Sequence, residues 1–521
     1  MCWRIVRKIG VISISILAMI IVVLCKKDFY IDELLSYSLA NNEKGWMHFT
    51  DDEVYSPAES IFVDQLSAKD GSLFAYKNVW NNQAEDVHPP LYYALLHTIC
   101  SLSPNRISVW QPAIINFLFV LLTMYVLKKI LNLFSHTFEI SRDRYDVLSN
   151  LVIVVWSILP GILNNVSFFR MYVMAMFMVS WNGYLGIEIV KNIYENKTVK
   201  WGKWIEVLIA SICAALTHYY CILFLVLLQI TLFVEVLCKR KFKIILWQFV
   251  VEVFAAIVAI AIFPSMLNHI FSGYRGVEVQ NNLVNVSMEA YFKQLKMLFM
   301  QINKGILGGG AIIILVISII VFLYKVLIKR ENISKNLFKM KMAMIRVLFI
   351  PCLVYLMILG KITIMMDQRY LAPIYAIIYV GTIIVVFYIL KVIKLDITIG
   401  VMVFLVLLVL GAYRKPTWDY LYLENTLIDT MKNYKDIDAV VIYNDYWKCV
   451  ETYRDLENSK SVTFLKANNL ELQNSAISNR SEMIVYSENE DNVLNIFENM
   501  NGTTECQKIG ESRYFMAYYL R

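Results

Sequence analysis

Eleven stretches of this chain are each apolar for close to the length that a bilayer demands, and that repetition constrains the fold more than any other feature of the sequence. A helix crossing the hydrocarbon core needs ~20 predominantly apolar residues, with a workable range of roughly 17–25. Runs of this kind lie near residues 9–25, 108–127, 148–163, 168–190, 204–218, 219–237, 244–264, 305–324, 347–361, 370–390 and 395–412. Within lipid the backbone must satisfy its own hydrogen bonds, so such runs are read as helices. Composition agrees, since 58% of the 521 residues are hydrophobic and only 17% are charged, where soluble domains carry about 25%. The expected class is a polytopic α-helical membrane protein. The first run has a basic start like a secretion signal, but Lys26 and Lys27 follow it and no small-residue cleavage site is present. It is therefore read as a retained span.

Topology turns on one short piece, residues 89–103, which opens PPLYYALLH. If it does not span, then Arg4/Arg7/Lys8, Lys128/Lys129/Arg142/Arg144, Lys191/Lys197/Lys200/Lys203, Lys239/Arg240/Lys241/Lys243, the basic loop at residues 325–346 and Lys391/Lys394 all face the cytoplasm. Basic residues in short loops stay inside, so this arrangement is strongly preferred, with Arg414 and Lys415 as its mild exceptions. It places the N-terminus inside and the C-terminus outside. Residues 26–107 then form a long external loop, in which 89–103 is a juxtamembrane helix. Pro89 and Pro90 suit the first turn of that helix. His88 is held extended by the proline after it, with its ring free, and Tyr92 and Tyr93 are expected along the lipid interface.

After residue 412 the composition becomes mixed. DAVVIYND, SVTFLKA, EMIVYSEN and RYFMAYYL read as strands, and EDNVLNIFENMNG as a helix ending at Asn501-Gly502. Residues 413–521 are thus expected to be an extracytoplasmic α/β domain beside a transmembrane domain at 1–412. There is no glycine-rich phosphate loop and no internal repeat. The formal charge of +7 is spread between apolar runs, without the basic stripe of a nucleic-acid binder. The nine cysteines show no metal spacing, and Cys449 and Cys506 are a candidate disulfide for an external domain.

Several polar residues fall at the external ends of spans. Asp32 and Glu33 follow the first span, and Asp86 and His88 close the long loop. Arg170 and Tyr172 open the fourth span, His218, Tyr219 and Tyr220 form an external turn, and Arg369 and Tyr370 open the tenth. Taken singly each has a bland reading: a solvated helix end, a structural histidine, an arginine snorkelling to head groups. Their shared depth across separate segments points instead to a site. Arg170 and Arg369 carry planar forks that match phosphate oxygens. A carboxylate beside them is a general base for a hydroxyl, and cations that neutralise a departing phosphate replace a general acid. On a helix Asp32 and Glu33 point about 100° apart, so one of the two faces the substrate, and the sequence leaves open which.

An acidic pair after the first span, a long external loop, HPPLYY, an R-x-Y span start, a T-H-Y-Y turn and a late R-Y-x-x-P together resemble glycosyltransferase family 39. These are polytopic enzymes of the C-type fold, and they include protein O-mannosyltransferases and aminoarabinose transferases. The resemblance covers residues 1–412. It implies an inverting glycosyl transfer on the outer face, from a polyprenyl-phosphate sugar to a hydroxyl of a glycan, lipid or protein acceptor. It implies that Asp32 is the catalytic base with Glu33 as its neighbour, and that Arg170, Tyr172, Arg369, Tyr370 and His88 line the lipid-phosphate site. Some relatives hold a divalent metal near the donor phosphate, for which Asp86, His88 and His218 are the ligands at hand. Many relatives carry an arginine just inside the second span, where this chain has Gln111 and Pro112, with Arg106 nearby. A secondary transporter or flippase of a lipid-linked sugar is the alternative. Glu252 is its clearest mid-span group, but the odd number of spans and the long external loop fit it poorly. A mere anchor for an external domain requires one span and no such cluster.

The topology makes a direct prediction. In spheroplasts, a tag after Arg521 is expected to be digested by added protease, and a tag before Met1 only after permeabilisation. The opposite pattern would reverse every loop assigned above.

Overall fold

A computed structural model describes residues 2–135, 138, 140–323, 336–363, 367–421, 427–468, 480–500 and 504–521. The part of the basic loop at residues 324–335 and the helix end expected at Asn501-Gly502 lie outside the described residues. By contact the chain divides into two compact units: residues 1–23, 87–92 and 113–418, and residues 24–86, 93–112 and 419–521.

The first unit is helical. Six of its helices are long and apolar enough to cross a membrane: Trp110–Phe134, Tyr172–Tyr194, Tyr219–Cys238, Phe242–Ile262, Lys339–Ile362 and Ala372–Val392. The number rises to eight if the bent pairs Arg142–Ile158 with Pro160–Val166 and Met288–Ile306 with Ala311–Val321 each count as one span. Shorter apolar helices cover Ile9–Leu24 and Ile397–Tyr413, and Trp201–Thr217 occupies the run expected near 204–218. The most apolar 18-residue stretches of Tyr172–Tyr194 and Ala372–Val392 are 83% and 78% buried, against 22% for Phe242–Ile262. The first two therefore form the centre of the bundle, and the third presents its side chains to lipid. The 94° bend before Ala311 falls where Gly308 and Gly309 take φ of +58° and +81°, a region that glycine enters at little cost. Residues 265–304, which carry no long apolar run, form the helices Ser265–Phe271 and Tyr274–Asn285 and most of Met288–Ile306.

The second unit is built on a six-stranded sheet. Its strands are β1 (Val54–Tyr55), β2 (Asp438–Tyr443), β3 (Ser461–Lys466), β4 (Met483–Ser487), β5 (Cys506–Glu511) and β6 (Met516–Leu520), in the order β1-β3-β2-β4-β6-β5. The central β3, β2 and β4 run parallel. They are buried on both faces apart from their ends, which explains their near-continuous apolar sequences. One face packs the helix Glu490–Asn499 through Val493 and Ile496 onto Val440, Ile442 and Val485. Phe49 stacks on Phe464 with ring centroids 4.2 Å apart, and Phe62 meets Phe464 edge-on at 6.5 Å. The segment from Phe49 to Phe62 therefore packs against this sheet and also supplies β1 to its edge. Cys449 is buried in the 3-10 segment Tyr446–Tyr453 and Cys506 begins the edge strand β5; both are free thiols, so the candidate disulfide is not formed.

One expectation for HPPLYYALLH is corrected. The helix runs from Leu91 to Ser101, directly after the two prolines, but Tyr92 and Tyr93 are fully buried inside protein and do not lie along a lipid interface. His97, at its end, receives the Ala75 N–H on Nε2 (3.0 Å) and places Nδ1 3.0 Å from the Asn41 side-chain oxygen. Burial holds this ring below the usual histidine range, as suits a neutral structural imidazole.

Candidate active site

In the second unit, the helix Ile31–Asn41 begins a few residues past the first span. Tyr30 is its N-cap residue, with extended φ and ψ of −73° and 143°. The Glu33 carboxylate reaches back to accept the Tyr30 N–H at 2.8 Å, which satisfies an amide that the helix cannot. The same carboxylate accepts from Lys26 Nζ at 3.1 Å, and Lys26 donates to the Tyr420 carbonyl at 2.6 Å. Both side chains are 0% exposed. Burial pulls the Lys26 ammonium below the ordinary lysine range, opposed by the charge of Glu33. Glu33 thus uses its oxygens to hold the helix start and a buried cation. Asp32 precedes it on the helix and is only half-buried, while its backbone carbonyl accepts the Ser36 hydroxyl at 2.7 Å. The neighbouring carboxylates, equivalent in sequence, sit in different environments.

In the first unit, four separated segments converge. His88 Nε2 lies 3.3 Å from the Arg170 guanidinium, so its ring is engaged and not free. The His88 and His218 rings are 6.1 Å apart between centroids. His218 caps the helix Tyr219–Cys238, its Nδ1 accepting the Tyr220 N–H at 3.0 Å. In the neutral ring that bond leaves the proton on Nε2. Burial, then the charges of His88, Arg170 and Arg369, hold His218 well below the usual histidine range, so it serves as a neutral N–H donor.

Arg369 sits in the 3-10 turn Gln368–Tyr370, 3.1 Å from Asp367, with its guanidinium 5.9 Å above the Phe168 ring. Arg170 and Arg369 are only 5% and 8% exposed. Aromatic rings hold the group together. Tyr172 lies 5.3 Å from His218 and 6.4 Å from Tyr370, and Tyr220 lies 5.3 Å from Tyr370. Tyr355 donates to the Tyr370 carbonyl at 2.8 Å. His88, Arg170, Tyr172, His218, Arg369 and Tyr370, all expected at the site, are therefore brought together. Tyr355 and Lys26 were not expected, the first because it lies in an ordinary apolar run and the second because a lysine after a span reads as a flank.

The full chain is similar to solved structures of ArnT from Cupriavidus metallidurans. Against the form bound to undecaprenyl phosphate the TM-score is 0.53 at 9% identity, covering 98% of this chain and 97% of that one. Against the apo form the values are 0.50, 8%, 98% and 97%. The fold is that of the C-type glycosyltransferases. No protein-family model and no curated protein matches the sequence.

Gln111 lies in the second unit. It accepts from the Tyr37 hydroxyl (3.0 Å) and the Ser108 N–H (3.1 Å) and donates to Ser103 Oγ at 2.8 Å. It is a staple for the turn before the second long helix. Among the described residues no group of three or more His, Cys, Asp or Glu is placed to hold a metal. His88 and His218 are two imidazoles beside two guanidinia, a set that repels a cation and suits an anion, so no step below is routed through a metal. Glu252, the mid-membrane carboxylate, accepts from Ser211 (3.2 Å) and Gln229 (2.7 Å), bonds that tie neighbouring helices together.

Breaking the buried Lys26 and Glu33 pair leaves an unmatched charge, which costs about 3–5 kcal/mol. Lys26→Met and Glu33→Gln are each expected to destabilise the protein by that order in chemical unfolding in detergent. The double variant is expected to lose less than the sum of the two. Strict additivity would mean that the two groups do not interact.

Proposed function

We propose that this chain is a membrane glycosyltransferase. It moves a sugar from a polyprenyl-phosphate donor to an acceptor hydroxyl on the extracytoplasmic face, with inversion at the anomeric carbon. The N-terminus is cytoplasmic in this reading and the C-terminal domain is outside. The observation that carries it is the group of Arg170, Arg369, His88 and His218, four anion-binding side chains gathered at the ends of apolar helices, in a chain whose fold is similar to that of ArnT.

In the proposed reaction Arg170 and Arg369 hold the donor phosphate, and His88 and the His218 Nε2–H donate to its oxygens. Tyr172 and Tyr370 pack the guanidinia and rings in place. The acceptor hydroxyl gives its proton to the Asp32 carboxylate as its oxygen attacks the anomeric carbon from the face opposite the phosphate. The bond between that carbon and the phosphate oxygen breaks, and the lipid phosphate leaves with the electron pair. Its growing charge is met by cations already in position, so no proton need be delivered to it. Asp32 afterwards returns its proton to water. Glu33 is a positioning residue: it fixes the helix start on which Asp32 stands.

The direct test is transfer from a panel of radiolabelled polyprenyl-phosphate sugars by purified protein in lipid. General-base catalysis contributes about 10²–10⁴-fold, so Asp32→Asn is expected to lower turnover by that factor with the unfolding midpoint unchanged. Equal turnover by the variant would remove Asp32 from the role. EDTA is expected to leave the rate of the parent protein unchanged.

A further inference from the structure

The hairpin loop between β5 and β6 carries side chains that the reaction above does not use. Residues 512–515 turn back on themselves, with the Ser512 N–H donating to the Phe515 carbonyl at 2.7 Å. Phe515 is buried, Tyr514 is half-buried and Arg513 is exposed. The Arg513 backbone N–H donates to Glu451 Oε1 at 3.2 Å, which pins the loop to the segment Tyr446–Tyr453. The guanidinium then lies 4.8 Å over the ring of Tyr30, two residues before Asp32. Tyr514 meets Trp447 edge-on at 5.6 Å between ring centroids. Burial and nearby charges, Asp32 among them, hold the Tyr514 hydroxyl above its usual range, which agrees with its closeness to the proposed base. The adjacent Lys448 is met by Glu488 at 2.6 Å and Asp445 at 3.0 Å, so its charge is answered locally.

We infer that Arg513, Tyr514 and Trp447 form the acceptor-recognition element, and that the acceptor is a carbohydrate bearing a carboxylate or phosphate. Flat aromatic faces take the apolar C–H face of a sugar ring, and a guanidinium fork matches either anion. The donor phosphate has its own cations in Arg170 and Arg369. A cation and an aromatic pair beside the base therefore serve the molecule that gives the base its proton. The word acceptor rests on the glycosyltransferase reading; the binding of an anionic sugar does not.

The test is a ligand-observed NMR titration of the full-length chain in nanodiscs with glucose, glucuronate and glucose 6-phosphate. A charge-assisted contact predicts that the parent binds at least one charged sugar about tenfold or more tighter than glucose, and the better of the two identifies the anion. Arg513→Gln, at an exposed position, is expected to abolish that preference, and Arg513→Lys to restore part of it. Trp447→Ala is expected to weaken all three sugars alike. No preference in the parent protein, or a preference that survives in Arg513→Gln, overturns the inference. Because no sugar is transferred in this titration, its result stands whatever Asp32→Asn does to turnover. Transfer by the parent with no effect of Arg513 here would reject this element and leave the enzyme intact.

Discussion

Removing an ammonium and a carboxylate from water costs several kcal/mol for each ion, and only close pairing with further hydrogen bonds recovers it. Lys26 and Glu33 meet that condition because each has more than one partner, the Tyr420 carbonyl for the lysine and the Tyr30 amide for the glutamate. The pair joins the segment after the first span to the segment before the C-terminal sheet. It also fixes where the helix Ile31–Asn41 starts and so which way Asp32 points. A base that must sit within hydrogen-bond reach of a hydroxyl depends on a support of this kind.

The donor side of the proposed reaction relies on a different device. Two guanidinia buried close to two imidazoles disfavour a further cation, and a bound anion would lower their mutual repulsion. Burial keeps His218 a donor without adding a third full charge. The rings of Tyr172, Tyr220 and Tyr370 pack against His218 and one another, which limits how the donors can turn. Preorganised donors of this sort stabilise a leaving phosphate without rearranging as charge develops.

Much of this was legible in the sequence. Hydropathy alone placed a helix on every expected span, since lipid allows the backbone little else. The convergence of Arg170, His218 and Arg369 could be read because such residues are rare at the edges of apolar runs. The rest depended on contacts between distant segments. Nothing local marks Lys26 as the partner of Glu33, or Tyr92 and Tyr93 as core residues in place of interface residues. Strand β5, CQKIGE, lacks alternation because it is an edge strand exposed along much of its length, and β1 is a two-residue strand recognisable only from its partner β3.

The account stands or falls on whether the arginine and histidine group holds a lipid phosphate. The most direct measurement is the shift in melting temperature of the purified protein on adding undecaprenyl phosphate or the uncharged undecaprenol, for the parent, Arg170→Gln and Arg369→Gln. The phosphate is expected to stabilise the parent well beyond the alcohol, and each variant to lose that difference. Equal stabilisation by phosphate and alcohol, or variants that respond as the parent does, would contradict it.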